Sequence, residues 1–166
     1  MGGPYQSWLE TPPGGSWPDD DDPNPFVRWR RLLWSWHRAV DAGWSDDDFV
    51  EVVRQLDAAV GTVDGSRFRV TPTGEWHDID GRLPHRLFWK NETGNVGGSH
   101  KARHLMGLLL HLAVDAVATD TRLAISSCGN AALGAATVAR AADRPIDVFI
   151  PTWADPAIVA ALDALD

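Results

Sequence analysis

The sequence predicts an α/β fold in which parallel β/α units follow two helices and a disordered N-terminal arm. Three observations carry that reading. Strand, helix, strand and helix patterns alternate with short links over residues 122–165, the signature of parallel strands joined by a crossover helix. Two stretches between Phe26 and Val60 repeat apolar residues at every third or fourth position, the period of one helix face. Residues 1–25 combine Pro4, Pro12, Pro13, Pro18, Pro23 and Pro25 with an aspartate run, a composition that buries too little apolar surface to order itself.

Along the chain, Trp8 and Trp17 are the side chains that would pin the arm. Phe26, Trp29, Leu33, Trp36 and Val40 predict one helix over residues 26–42, stopped by Gly43. Ser45 is the expected N-cap of a second helix, with Asp46, Asp47 and Asp48 over its positive end. Phe49, Val52, Val53, Leu56 and Val60 form that helix's apolar face, and Gly61 is expected to close it. Residues 67–70 and 87–90 read as short strands flanking a turn-rich piece with Pro72, Gly74, Gly81 and Pro84. A third helix follows Lys101, with Ser99 as its expected N-cap and Leu105, Leu108, Leu109 and Leu112 on its apolar face. Then come a strand at 122–126, an alanine-rich helix at 131–142 and a strand at 146–150. Asp155 and Pro156 supply the cap and first turn of a last helix at 157–165. The organisation expected is an acidic arm (1–25), a helical pair (26–66) and a β/α domain (67–166).

The net charge is −8, and five of the acidic residues, Glu10 and Asp19 to Asp22, precede the first basic one. The remainder is close to balanced, which argues against nucleic acid or an anionic membrane as a partner. One cysteine excludes an intrachain disulfide framework and fits a reducing compartment. No apolar run reaches the roughly 20 residues that span a bilayer. With no basic-then-apolar leader pattern either, a cytoplasmic protein is expected.

Two segments carry chemistry. Gly97-Gly98-Ser99-His100-Lys101 places a lysine just inside a helix start, where the positive end of the helix dipole disfavours the charged amine and favours the nucleophilic neutral form. Ser126-Ser127-Cys128-Gly129-Asn130 is a tight strand-to-helix turn of small residues, whose helix-opening N–H groups suit a carboxylate or phosphate. It lacks the Gly-Lys-Ser/Thr of a Walker loop and the Gly-x-Gly-x-x-Gly of dinucleotide binders. His100 and His104 share a helix face, but a zincin would need Glu where Lys101 stands and no third ligand is indicated, so no metal site is expected. Of the nine tryptophans, Trp29 and Trp36 fit a helix core face while Trp34 and Trp44 could face a partner.

Thr71-Pro72, Lys90-Asn91-Glu92 with Gly94 and Asn95, Gly98-Ser99-His100-Lys101-Ala102-Arg103, Ser127-Cys128-Gly129-Asn130-Ala131 and Val148-Phe149-Ile150-Pro151 occur in that order. Together they resemble the N-terminal half of fold-type II pyridoxal-phosphate enzymes, the tryptophan synthase β-chain-like group that includes threonine synthases, cysteine synthases and serine/threonine dehydratases. The resemblance covers about residues 67–166. It implies a partial fold-type II architecture, pyridoxal 5'-phosphate as cofactor and a small amino acid as substrate.

The same resemblance puts the Schiff-base lysine and Cα base on Lys101, and the asparagine that meets the cofactor's ring hydroxyl on Asn130. The grip on the substrate carboxylate falls on Ser127, Cys128, Gly129, Asn130 and Ala131. The implied reaction is a lyase or synthase sequence of Cα deprotonation and β- or γ-elimination or replacement. His100 stands where many members have Phe, and Cys128 where Ser or Thr is usual. The family's glycine-rich phosphate loop and its partner for the pyridine nitrogen belong well beyond the position of Asp166. The expectation is therefore an N-terminal part of a catalytic unit, weak or inactive alone, completed by a C-terminal chain and able to form a homodimer. The alternative expectation is an inactive remnant or a tryptophan-rich interaction module.

Overall fold

The computed structural model describes residues 20–76 and 86–165. Trp8, Trp17, Gly81, Pro84 and most of the predicted arm lie outside the described residues. The helical part begins with α1 (Pro25–Arg28), where the Asn24 side chain accepts from the Phe26 N–H at 2.8 Å and Pro25 takes the first helical position. A 3-10 turn (Arg30–Leu32) and α2 (Trp34–Asp41) follow. The single helix expected over residues 26–42 is thus broken, with Leu33 extended at φ −86° and ψ 132°.

The cause of the break is Arg30. Its guanidinium forks onto both carboxylate oxygens of Asp46 at 2.7 Å and also donates to Asp20 at 2.6 Å and to the Val27 carbonyl at 2.8 Å. A bidentate, charge-assisted pair of this kind, with the guanidinium also bonded to Asp20 and Val27, outweighs one turn of local helix. Asp20 to Pro25, assigned by composition to the loose arm, are fastened here: Asp20 pairs with Arg30, Asp22 pairs with Arg54, and the Pro23 carbonyl accepts from the Val70 N–H at 2.9 Å.

Helix α3 (Asp46–Asp64) opens with a reciprocal cap: Ser45 Oγ accepts from the Asp48 N–H, and Asp48 accepts from the Ser45 N–H at 2.8 Å. It runs through Gly61, the expected stop, to a left-handed Gly65 at φ 81°. Gly61 serves a different purpose, since a Cβ there would lie 2.7 Å from Cγ of Arg67, whose side chain crosses the helix at that point. Phe49, Val53 and Val60 are all but fully buried on the α3 inner face.

Residues 67–70 are not a strand. The Phe68 N–H goes to the Asp57 carboxylate at 2.8 Å and the Val70 N–H to Pro23, so the donors a ladder would need are already spent on long-range partners. The strand lies further on, as β1 (Thr73–Trp76), paired antiparallel with β2 (Leu87–Lys90) in the register Thr73 to Lys90 and Trp76 to Leu87. A 3-10 turn (Val96–Gly98) leads into α4 (Lys101–Val114). Then β3 (Leu123–Ser126), α5 (Asn130–Ala141) and β4 (Ile146–Phe149) form a parallel β/α unit, Leu123 opposite Ile146 and Ser126 opposite Phe149. The last helix, α6 (Pro156–Asp163), has Asp155 as its cap, accepting from the Ala157 N–H at 2.8 Å.

The core joins α1, α3, α4 and α5 through Phe26, Val53, Met106, Leu110 and Val138, with Phe68 set edge-on against Phe26 at 5.1 Å. Trp34 and Trp44 are taken up within the chain: Trp34 meets the His111 ring edge-on at 5.0 Å, and Trp44 packs on the core. The exposed tryptophans among the described residues are Trp76, Trp89 and Trp153. No described helix is long and apolar enough to cross a membrane.

Candidate active site

Lys101 is the first residue of α4. The expected cap is displaced by one position: His100 precedes the helix in a helical conformation, and Ser99 Oγ accepts from the Lys101 N–H at 3.3 Å. The Lys101 side chain is exposed, and among the described residues its Nζ has neither a hydrogen bond nor an ion pair. It lines a cavity of about 430 Å³ together with His104, Leu105, Leu108, Ile125 and Ala131.

Ala131 is the second residue of α5, so the cavity joins the start of α4 to the start of α5. One close approach sets their spacing. A Cβ on Gly134 would lie 3.1 Å from both N and Cα of Ala102, so any larger residue would have to push the two helices apart at the residue next to Lys101.

The turn before α5 divides in two. The Ser127 N–H donates to the Phe149 carbonyl at 3.1 Å and so belongs to the sheet, which leaves the hydroxyl as that residue's free donor. Cys128 and Asn130 are exposed, and a Cβ at Gly129 would meet no atom within 4 Å. No side chain caps α5. Its opening N–H groups therefore have no side-chain acceptor, a donor set that suits an anion. Asn130 opens this helix but is not among the residues lining the Lys101 cavity.

Among the described residues no three His, Cys, Asp or Glu side chains gather as metal ligands. His100 and His104 are both exposed, and of the two His104 lines the cavity.

The chain contains only two lysines, Lys90 and Lys101, against thirteen arginines. Chemistry that needs a side-chain primary amine has two candidates. Lys90 is engaged, donating to the Thr71 carbonyl at 3.1 Å with Glu92 at 3.5 Å.

The residues present fit pyridoxal phosphate. An unpartnered amine opens onto a cavity with an apolar wall, and Ala131, in the first turn of the uncapped α5, lines the same cavity, whereas Ser127, Cys128, Gly129 and Asn130 do not. No curated protein matches the chain. The family model for pyridoxal-phosphate dependent enzymes matches residues 66–166, which span α4, both parallel strands and the turn before α5. With that match over more than half of its length, the chain belongs to the pyridoxal-phosphate dependent enzyme family, whose cofactor is pyridoxal phosphate.

Proposed function

We propose that the chain is the part of a fold-type II lyase or synthase that carries the amine and the carboxylate grip, acting on a small amino acid. The supporting observation is the shared cavity of Lys101 and Ala131. Pyridoxal phosphate, when bound, supplies an aldehyde for covalent attachment and a ring that withdraws electrons from the substrate's Cα. Lys101 is the residue that would hold the aldehyde carbon and, when released, take the Cα proton on Nζ. Asn130 would hold the ring hydroxyl. The Ser127 hydroxyl and the N–H groups of Cys128, Gly129, Asn130 and Ala131 would orient the substrate carboxylate, aided by the positive end of α5.

Orientation matters because the Cα–H bond must stand where Lys101 can reach it, and fixing the carboxylate would set that direction. Leu105, Leu108 and Ile125 give the cavity an apolar wall beside the amine. The reaction would be β- or γ-elimination or replacement, in the cytoplasm, with a homodimer or a C-terminal complementing chain supplying the remaining contacts. The test adds pyridoxal phosphate to the chain, alone and with a C-terminal complementing chain. A visible absorbance band that Lys101→Ala abolishes is the expected result, and its absence in every wild-type combination rejects the assignment of Lys101.

A further inference from the structure

Glu92 touches the surroundings of both lysines. Its Oε1 accepts from the Thr71 hydroxyl at 2.5 Å and lies 3.5 Å from Lys90 Nζ, while its Oε2 accepts from Arg103 Nε at 2.7 Å. Arg103 also donates to the Arg69 carbonyl at 2.7 Å. Both carboxylate and guanidinium are largely covered, at 15% and 20% side-chain exposure, so the pair is shielded from screening by solvent. Burial pushes the Glu92 carboxyl up, but the Thr71 hydroxyl, the Arg103 pair and the nearby Lys90 outweigh it and hold it below the ordinary range.

Arg103 stands in the first turn of α4, two residues after Lys101, where the helix dipole opposes a cation. Glu92 offsets that cost and ties the turn to residues 69–71. The same carboxylate occupies Lys90. We propose that Glu92 is a positioning residue that decides which lysine meets an aldehyde: it engages Lys90 and, through Arg103, holds the turn from which Lys101 faces the cavity.

The inference rests on reading Lys101 as the cofactor-bearing amine. It concerns relative reactivity within one molecule, so each lysine is the internal control for the other.

The test treats the full chain with pyridoxal phosphate and then borohydride. The amine and aldehyde condense with loss of water, hydride reduces the carbon–nitrogen double bond, and peptide mass mapping counts the pyridoxyl groups left on Lys90 and Lys101. In the wild type, modification of Lys101 is expected to outpace Lys90 by up to about fivefold, the scale of one partly covered ion pair. In Glu92→Gln the ratio is expected to fall towards one, with Lys90 rising and Lys101 falling, while the circular dichroism spectrum is retained. A merely structural role would lower the melting temperature and leave the ratio where it was.

An unchanged ratio in folded Glu92→Gln overturns the inference and leaves the Lys101 assignment standing. A wild type without preference for Lys101 overturns both. If Glu92→Gln does not fold, Thr71→Val, which removes one hydrogen bond to the same carboxylate, is judged by the same ratio.

Discussion

In the layer built from α1, α2, α3 and α4, side chains such as Phe49, Val53, Val60 and Met106 are at most 1% exposed, whereas β3, β4 and α6 contribute no buried residue. Between α5, β4 and α6 a second cavity of about 400 Å³ is walled by Val148, Val159 and Leu162. Helix α5 belongs to both regions, with Ala132 and Ala135 buried towards the helices and its uncapped start open beside the strands. Packing energy is thus concentrated on one side and accessible donors on the other. The candidate residues sit at the seam, held by the packed side and presented by the open one.

The sharpest way to break this contrast is to cut both sides equally. Val53→Ala, at a position with no exposed surface, is expected to cost about 2–3 kcal/mol in urea unfolding, as for a branched side chain lost from a core that cannot collapse. Val148→Ala, on the half-buried strand, is expected to cost about 1 kcal/mol or less, because its surroundings already contain open space. Equal losses would erase the distinction.

The seam itself comes next. Gly134→Val drives a side chain against the Ala102 backbone, with an expected loss of about 1–3 kcal/mol. It is also expected to reduce borohydride-trapped pyridoxyl on Lys101 even where the variant remains folded. Unaltered trapping would mean that the helix spacing does not govern the amine.

A smaller and pH-dependent effect belongs to Arg30. Its hydrogen bonds hold the Asp46 carboxyl below the ordinary range against the opposing effect of burial, with the Trp36 N–H assisting, and Arg30 likewise lowers Asp20. A depressed carboxylate contributes stability that is present above its unfolded value and is lost as pH falls through the folded one. Arg30→Met is expected to cost about 1 kcal/mol at neutral pH, since the Asp46 side chain is 37% exposed and solvent screens the pair, and to flatten the acid limb of a melting-temperature profile.

The smallest effect has the reverse sign. Burial pushes the Asp57 carboxyl up, outweighing the Phe68 N–H that it accepts, so its contribution is present at acid pH and lost as pH rises through the raised folded value. Asp57→Asn keeps an acceptor for Phe68 and removes the charge. It is expected to raise the melting temperature slightly at pH 7 and to leave it unchanged below the carboxylate range. A loss at both ends would show that the hydrogen bond outweighs the charge.

What could be read from the sequence was local. Ser45, Asp155 with Pro156, and the β3–α5–β4 rhythm announce themselves through caps and periodicity, and each is where the residues put it. Lys101 at the head of α4 was equally legible. The failures are all long-range. Nothing near Leu33 foretells a break whose cause is Asp46, and nothing in residues 67–70 reveals that Asp57 and Pro23 consume their donors. Gly61 reads as a stop until the Arg67 side chain is seen crossing it. At the candidate site the residue types were legible, whereas the engagement of Lys90 by Thr71 and Glu92, which singles out the other amine, required the hairpin to be in place.

The bond from Ser127 to Phe149 extends the parallel ladder one residue past β3. That overshoot sets a pivot. A loop clamped to the sheet through Ser127 and continuous with a helix from Asn130 has only Cys128 and Gly129 left to rotate, so any closing of this corner over a guest is a two-residue hinge movement, and its stiffness is written into those two positions.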